Sequence, residues 1–195
     1  PLLVQGVVAD YDSRYSDDTY RAFRQKYEDR RQVLYVGGND GLIHAFNAGK
    51  FTASSQSLSG DGHALGAELW AYAPMNLLPH LQWQTELDYP HVFYVDGSPR
   101  AYDVNIFTPS DTHPNGWGTI LVVGMRLGGG DFAVDTDGDL SNDMTMRSAY
   151  VILDITDPEQ PPELIAEITD PGLGLTLSRP ALVKRRQATA SSFRS

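Results

Sequence analysis

Residues 135–143 form the segment of this chain whose side chains have the clearest potential for chemistry. Carboxylates occupy positions 1, 3, 5 and 9 of this segment, at Asp135, Asp137, Asp139 and Asp143. Carboxylates this close together repel one another unless a cation lies between them, and Ca²⁺ binds several oxygen atoms in a flexible geometry. Ser141, at position 7, can add its backbone carbonyl. The spacing therefore predicts a calcium-binding loop with these five residues as ligands.

The segment departs from the EF-hand pattern, which needs Gly at position 6 and Glu at position 12 of a loop between two helices. Here position 6 is Leu140 and position 12 is Met146, and no helical periodicity flanks the segment. Gly138, at position 4, permits the tight winding that the ligand spacing requires. We therefore expect a calcium loop inserted between strands, within residues 131–147. A solvated acidic turn is the alternative, because Asp and Gly are common in turns.

The composition limits the classes of partner. Asp and Glu number 25 against 15 Lys and Arg, so the formal net charge is −10, which argues against a nucleic-acid-binding surface. The absence of cysteine excludes disulfides, thiolate zinc sites and a cysteine nucleophile. No apolar run of roughly 18 residues occurs, so no transmembrane segment is predicted. The chain begins at Pro1 without a methionine, and we expect it to be a fragment of a longer protein.

One helix is predicted within residues 17–31. Tyr20, Phe23 and Tyr27 are spaced i, i+3 and i+7, which places three aromatic side chains on one helical face. Asp17 or Asp18 can cap the first turn, because an aspartate side chain accepts hydrogen bonds from free backbone N–H groups. The aromatic face is expected to pack against the rest of the domain.

The remaining pattern is one of strands that recur about 86 residues apart. The first copy of the strand–turn–strand–loop–strand unit comprises 33–36, 42–47 and 68–72. The second comprises 119–124, 149–154 and 163–168, and the calcium loop replaces its first turn. A strand pair is predicted between the copies, at 92–99 and 101–104, and a final strand at 179–183.

Recurrent antiparallel units of this kind are typical of a β-propeller. We therefore predict an all-β chain with one short N-terminal helix, in which residues 1–195 form part of a single propeller domain with several antiparallel blades. Whole propellers have roughly four to eight blades. Because this chain supplies fewer, the native molecule is expected to be longer.

Five motifs in order resemble PilY/PilC-type proteins, the type IV pilus tip-associated adhesins and biogenesis factors. They are 33–48, 71–74, 94–99, 151–158 and 175–180. The predicted helix also precedes the first blade as it does in that family. The resemblance covers nearly the whole chain and implies a quinoprotein-like propeller from the C-terminal region of a secreted, pilus-associated protein of a Gram-negative bacterium.

The resemblance further implies a calcium loop whose occupancy influences pilus extension, retraction and surface adhesion. That role carries over to Asp135, Asp137, Asp139, Ser141 and Asp143. The implied partners are calcium, pilins and minor pilins, with a host or abiotic surface as a further one. The implied location is extracellular or at the outer membrane, at the pilus tip, and no catalysis is implied.

A quinone-dependent oxidoreductase is the alternative function, because pyrroloquinoline-quinone dehydrogenases share the blade pattern. The Asn47–Lys50 turn and the Leu69–Trp70 strand resemble theirs, although an insertion separates the two here. Many such enzymes place neighbouring cysteines against the quinone, and this chain has none. Trp70 is accordingly interpreted as a packing residue. His44, inside a predicted strand, is interpreted as a hydrogen-bonded structural histidine.

Overall fold

The computed structural model describes residues 1–183, and its elements are mostly strands. The first half contains β1 (Leu2–Val4), α1 (Tyr11–Tyr15), α2 (Asp18–Tyr27), β2 (Gln32–Gly37), β3 (Ile43–Thr52), β4 (Ser57–Ser59), β5 (Glu68–Tyr72) and α3 (Leu78–Leu81). The second contains β6 (Arg100–Asn105), β7 (Trp117–Gly124), β8 (Phe132–Val134), β9 (Met144–Met146), β10 (Tyr150–Asp154) and β11 (Glu163–Ile168). Short 3₁₀ turns span Met75–Leu77, Gln82–Thr85 and Pro114–Gly116. Residues 184–195 of the predicted domain lie outside the described part.

Two antiparallel sheets carry the repeat predicted from the sequence. In the first, β1, β2, β3 and β5 are neighbours in that order, and β4 pairs with the end of β3. In the second, the order is β6, β7, β10 and β11. The three predicted strands of each copy are thus present, and one further strand, β1 or β6, precedes them. The chain is all-β with antiparallel sheets and few helices.

The core lies between the two sheets. Alternate residues of β2 and β3 are buried in one cluster with alternate residues of β7 and β10: Val33, Tyr35, Ile43, Ala45, Leu121, Val123, Val151 and Leu153. Because successive side chains of a strand point to opposite faces, this pattern places one face of each sheet against the other. The second face of β7 is buried as well, through Ile120 and Val122.

Helix α2 lies within the residues where the aromatic spacing predicts a helix. The Asp17 side chain accepts hydrogen bonds from the backbone N–H groups of Thr19 and Tyr20, which caps the first turn. The aromatic face is buried, and the Tyr20 ring lies edge-on to Trp117 of β7, with centroids 4.9 Å apart. The helix therefore packs against the first residue of β7, in the second sheet.

Two consecutive arginines after α2 join distant segments. Arg30 donates to the Thr119 hydroxyl (2.9 Å) and to the Thr156 carbonyl (2.8 Å). Arg31, whose side chain is 1% exposed, forms an ion pair with Glu159 at 2.9 Å and donates to Asn47 Oδ1. A buried guanidinium is stable only when its donors are satisfied, and these bonds fix the start of β2 beside the segment that follows β10.

Three predictions about secondary structure are wrong. Residues 92–99 form no strand, because Val95 N–H donates to Gly38 and Gly97 N–H donates to Gly124, at the ends of β2 and β7 respectively. Residues 179–183 form no strand either, and Pro180 has no N–H to donate to a ladder. The expected single helix is accompanied by two shorter ones, α1 and α3.

No helix within residues 1–183 has the length and apolarity needed to cross a bilayer.

Candidate metal centre

The predicted calcium loop is the tip of a hairpin that interrupts the second sheet. β8 and β9 pair with each other, with Phe132 opposite Met146, and lie between β7 and β10 in the chain. The first sheet has a tight turn at this point, where Gly38 N–H donates to the Leu42 carbonyl. The hairpin therefore extends outward from a position that is a short turn in the other copy, and residues 135–143 connect its two strands.

Three of the predicted ligands converge at the tip. One carboxylate oxygen from each of Asp135, Asp137 and Asp139 lies within 4.8 Å of the other two. Asp137 and Asp139 are exposed and Asp135 is half-buried. Three carboxylates at this separation can bind one hard cation between them, because Ca²⁺ accepts monodentate and bidentate carboxylates in variable geometry.

The loop is wound around the Asp135 carboxylate. Asp135 Oδ1 accepts hydrogen bonds from the N–H groups of Gly138 (2.7 Å) and Asp137 (3.2 Å), and Oδ2 accepts one from Leu140 (2.8 Å). These bonds, with Gly138 as the largest contributor, lower the pKa of Asp135 below its ordinary value. The carboxylate is therefore ionised at neutral pH and its position is fixed by the backbone.

The other two predicted ligands are placed differently. Ser141 N–H donates to Asp139 Oδ1 at 2.7 Å, which holds position 7 next to the carboxylate of position 5. The Asp143 carboxylate accepts bonds from Thr136 N–H (3.0 Å) and from the Thr136 hydroxyl (2.7 Å), and so closes the base of the loop. Asp143 is not part of the three-carboxylate group. Position 9 of an EF-hand often reaches its ion through a water molecule, which is compatible with this placement.

The backbone at position 6 is left-handed, although the residue there is Leu140 and not the glycine of an EF-hand. Leu140 has φ of +71° and Gly138 has φ of +81°, so both residues are left-handed. Such a φ costs a non-glycine residue roughly 1–2 kcal/mol. The Leu140 side chain is 95% exposed, so no packing contact offsets this cost. Position 6 therefore has the sign of φ that the EF-hand glycine supplies.

Comparison with known proteins identifies the family. No model of a known protein family matches the chain. A protein of Xylella fastidiosa strain Temecula1 named "Type IV pilus biogenesis factor PilY1 homolog" is 32% identical over 176 residues, 88% of this chain and 11% of that protein. "Type IV pilus biogenesis factor PilY1" of Pseudomonas aeruginosa strain PAO1 is 32% identical over 120 residues, 60% of this chain and 8% of that protein.

The crystal structure of the P. aeruginosa PilY1 C-terminal domain has a similar fold, with a TM-score of 0.56 and 24% identity over 93% of this chain and 28% of that one. This chain belongs to the PilY1 family. It spans about a tenth of the length of the curated relatives that it matches. The family resemblance predicted from the five motifs is thereby confirmed.

In this PilY1-family chain the base of the hairpin is joined to a helical segment, residues 75–85, that the sequence pattern did not predict. Asn76 Nδ2 donates to the Arg147 carbonyl at 2.6 Å, and Asp131 lies 3.6 Å from Arg147 across the hairpin base. The Phe132 ring of β8 lies edge-on to Trp83, with centroids 5.1 Å apart. Helical turns this short have too few residues for a 3.6-residue period to be detected.

Two other residues considered from the sequence have structural roles. Nδ1 of His44 lies 2.6 Å from a carboxylate oxygen of Glu68, and Nε2 lies 2.8 Å from one of Asp40, as expected for a hydrogen-bonded structural histidine. Burial lowers the pKa of His44, but the bonds to these carboxylates outweigh burial and raise the pKa above its ordinary value. Trp70 is half-buried beside the core and its ring contacts Tyr35, with centroids 5.7 Å apart.

Substitution of Gly138 by Ala tests whether the left-handed winding supports metal binding. A Cβ at Gly138 would meet no atom within 4 Å, so the substitution adds backbone strain without a clash. Bound calcium would hold the loop in this left-handed conformation. A strain of about 1 kcal/mol in the bound state is therefore expected to lower the calcium affinity roughly fivefold. Calorimetric titration measures this change. Gly130→Ala is the matched control, since its Cβ also meets nothing and its φ is not left-handed; equal affinities for both variants would contradict the prediction.

Proposed function

We propose that this chain is a calcium-binding part of a β-propeller in a type IV pilus biogenesis factor and tip adhesin. The observation that carries the proposal is the convergence of Asp135, Asp137 and Asp139 at the tip of an inserted hairpin, in a chain of the PilY1 family. The relatives' names supply the association with pili, and the carboxylate geometry supplies the ligand class.

Calcium is the cation that fits these donors best. Side-chain oxygens of Asp135, Asp137 and Asp139, the carbonyl of Ser141 and, through water, Asp143 would provide hard oxygen ligands in irregular geometry. Mg²⁺ is smaller, requires near-octahedral coordination and releases its water molecules reluctantly. The loop is therefore expected to prefer calcium to magnesium.

The proposed mechanism follows from the position of the loop. Bound calcium would neutralise three exposed or half-buried carboxylates and hold the tip in one conformation, while Asn76 and Phe132 hold the base. A fixed tip presents a constant surface to pilins, minor pilins or a host or abiotic surface. Release of calcium restores the repulsion between the carboxylates. Such a local electrostatic change can bias contacts of the whole protein and so pilus extension and retraction.

The packing of the two sheets supports the propeller. Each sheet contains a four-stranded antiparallel meander, and the two share one core through facing strands. Adjacent blades of a propeller pack in this way. On this proposal residues 1–195 are part of one propeller domain, the helix within 17–31 precedes the first blade, and 131–147 is an insertion. The protein would act outside the cell or at the outer membrane, at the pilus tip.

The function is tested in a piliated bacterium that carries the full-length protein. Wild type and the Asp139→Ala and Asp88→Ala variants are compared for surface pili and twitching motility, with calcium and with a chelator. Asp88 is exposed and lies outside the loop, so its loss matches the change in charge. We expect wild type and Asp88→Ala to respond to chelation and Asp139→Ala to show no calcium response. A normal calcium response of Asp139→Ala would contradict the proposed role.

The quinone oxidoreductase alternative makes a separate prediction. Trp70, the residue that resembled the quinone-enzyme strand, contacts Tyr35 beside the core, and the relatives carry pilus biogenesis names. We therefore expect no reduction of an artificial electron acceptor when the chain is mixed with pyrroloquinoline quinone, calcium and simple alcohols or sugars. Turnover above that of the heat-denatured chain would support the alternative instead.

A further inference from the structure

His80 lies buried where the helical segment 75–85 meets the β8–β9 hairpin. The residue is 7% exposed. Its ring is packed among three aromatic side chains from three parts of the chain: Trp83 (4.9 Å between centroids), Tyr94 (5.7 Å) and Phe132 (5.2 Å). Phe132 belongs to β8, so His80 is part of the contact that joins the hairpin to the helical segment.

Neither ring nitrogen of His80 has a hydrogen-bond partner among the residues that the structure describes. A neutral imidazole has one donor and one acceptor, and a protonated one has two donors and a positive charge. An unpartnered charge in an apolar site is far more costly than an unpartnered neutral group. Burial alone lowers the pKa of His80 below its ordinary value. Cation–π attraction to the surrounding rings is weak compared with the hydration that a buried imidazolium loses.

The groups around His80 offer no compensating negative charge at neutral pH. The neighbouring connection carries the hydroxyls of Tyr94 and Tyr89, and burial raises the pKa of Tyr94, which keeps it neutral. At the hairpin base, Asp131 is engaged by Arg147 at 3.6 Å. Among residues 1–183, no carboxylate lies close enough to His80 to raise its pKa. A protonated His80 can therefore regain hydration only if the aromatic contact opens.

We propose that protonation of His80 separates the β8–β9 hairpin from the helical segment, so that mild acid loosens the element that carries the calcium loop. The inference rests on the proposed function only in giving the hairpin a role, and the separation itself needs no calcium. Its sign is fixed: the separated state binds the proton more tightly than the packed state. The packed state is therefore fully favoured above about pH 6.5, the ordinary histidine value, and loses stability as the pH falls below it.

Hydrogen exchange of the 195-residue chain, read by mass spectrometry on peptides covering residues 75–85 and 132–146, tests the proposal. Between about pH 7.5 and about pH 5.5, corrected for intrinsic exchange rates, protection of both peptides should fall by up to roughly tenfold in wild type. His80→Phe keeps an aromatic ring without a titrating group and should remove this fall. His63→Gln changes an exposed histidine and should retain it. An unchanged wild type, or the same fall in His80→Phe, would overturn the proposal.

A second measurement on wild type covers the case in which His80→Phe does not fold. The NMR signals of the His80 ring are followed through the same pH range together with those of Phe132 and Trp83. We expect the three residues to titrate together; His80 protonation without any change at Phe132 would overturn the proposal. Each experiment is run in chelator and in excess calcium. If calcium does not bind, the proposed function fails, while the chelator measurements still decide whether His80 controls the contact.

Discussion

Replacement of Asp139 by Ala is expected to weaken calcium binding at least about 100-fold, since loss of groups that only support metal ligands already costs about 10–100-fold. Asp139 provides one of the three carboxylates that converge at the hairpin tip. Its Oδ1 also accepts the Ser141 N–H at 2.7 Å, so the substitution frees the residue whose carbonyl is the expected ligand at position 7. One change therefore removes a ligand and loosens another.

The affinity of the Asp139→Ala variant is measured by calorimetric titration of chelator-treated protein. Asp88→Ala, with the same change in net charge at an exposed position outside the loop, is expected to bind as wild type does. This control separates loss of a ligand from loss of general electrostatic attraction. An affinity of Asp139→Ala within about threefold of Asp88→Ala, a difference of less than 1 kcal/mol, would exclude the three-carboxylate site.

Replacement of Asp103 by Ala is expected to lower the free energy of unfolding by about 3–5 kcal/mol, because it leaves several buried donors unpaired. The Asp103 side chain is buried, with 1% of the residue exposed. It accepts hydrogen bonds from Val8 N–H (2.8 Å), Ala9 N–H (3.0 Å), the Tyr20 hydroxyl (2.6 Å) and the Thr119 hydroxyl (2.7 Å). These bonds join the N-terminal segment and α2 to the second sheet.

Urea unfolding monitored by circular dichroism measures the effect of Asp103→Ala. Tyr20→Phe removes one of the four donors and should cost only about 1–2 kcal/mol. Burial, followed by the bond to Asp103, raises the pKa of Tyr20, so its hydroxyl remains a donor throughout the neutral range. Asp88→Ala again supplies the exposed control. Equal stability of Asp103→Ala and Asp88→Ala would show that the network does not hold the helix on the sheet.

The elements with a regular period could be predicted from the sequence. Alternation of buried and half-buried residues along β2 and β3 and the aromatic spacing in α2 reflect one face packed on a core. The spacing of Asp135, Asp137 and Asp139 predicted a group of carboxylates, and these three converge at the hairpin tip. Their binding of calcium stays a prediction. The ordered set of motifs added the family, which the relatives confirm.

The remaining features depend on contacts that the spacing of residues in the sequence does not specify. Tyr94 and Val95 have strand-like side chains, but their segment joins the ends of two sheets and has no partner strand. Asp143 fits the ligand spacing, yet its carboxylate is bound by Thr136. The burial of His80 could not be predicted from the sequence, because it depends in part on Tyr94 and on Phe132, the latter about fifty residues later in the chain.

Calorimetric titration of calcium into the chelator-treated wild-type chain, with magnesium as the comparison, tests the central claim most directly. We predict about one calcium ion bound per chain and much weaker binding of magnesium, as expected for irregular oxygen ligands. The sample must be shown to be folded, for which far-ultraviolet circular dichroism with a strand signature is sufficient. A folded chain that binds no calcium would contradict the account and reduce residues 135–143 to a solvated acidic turn.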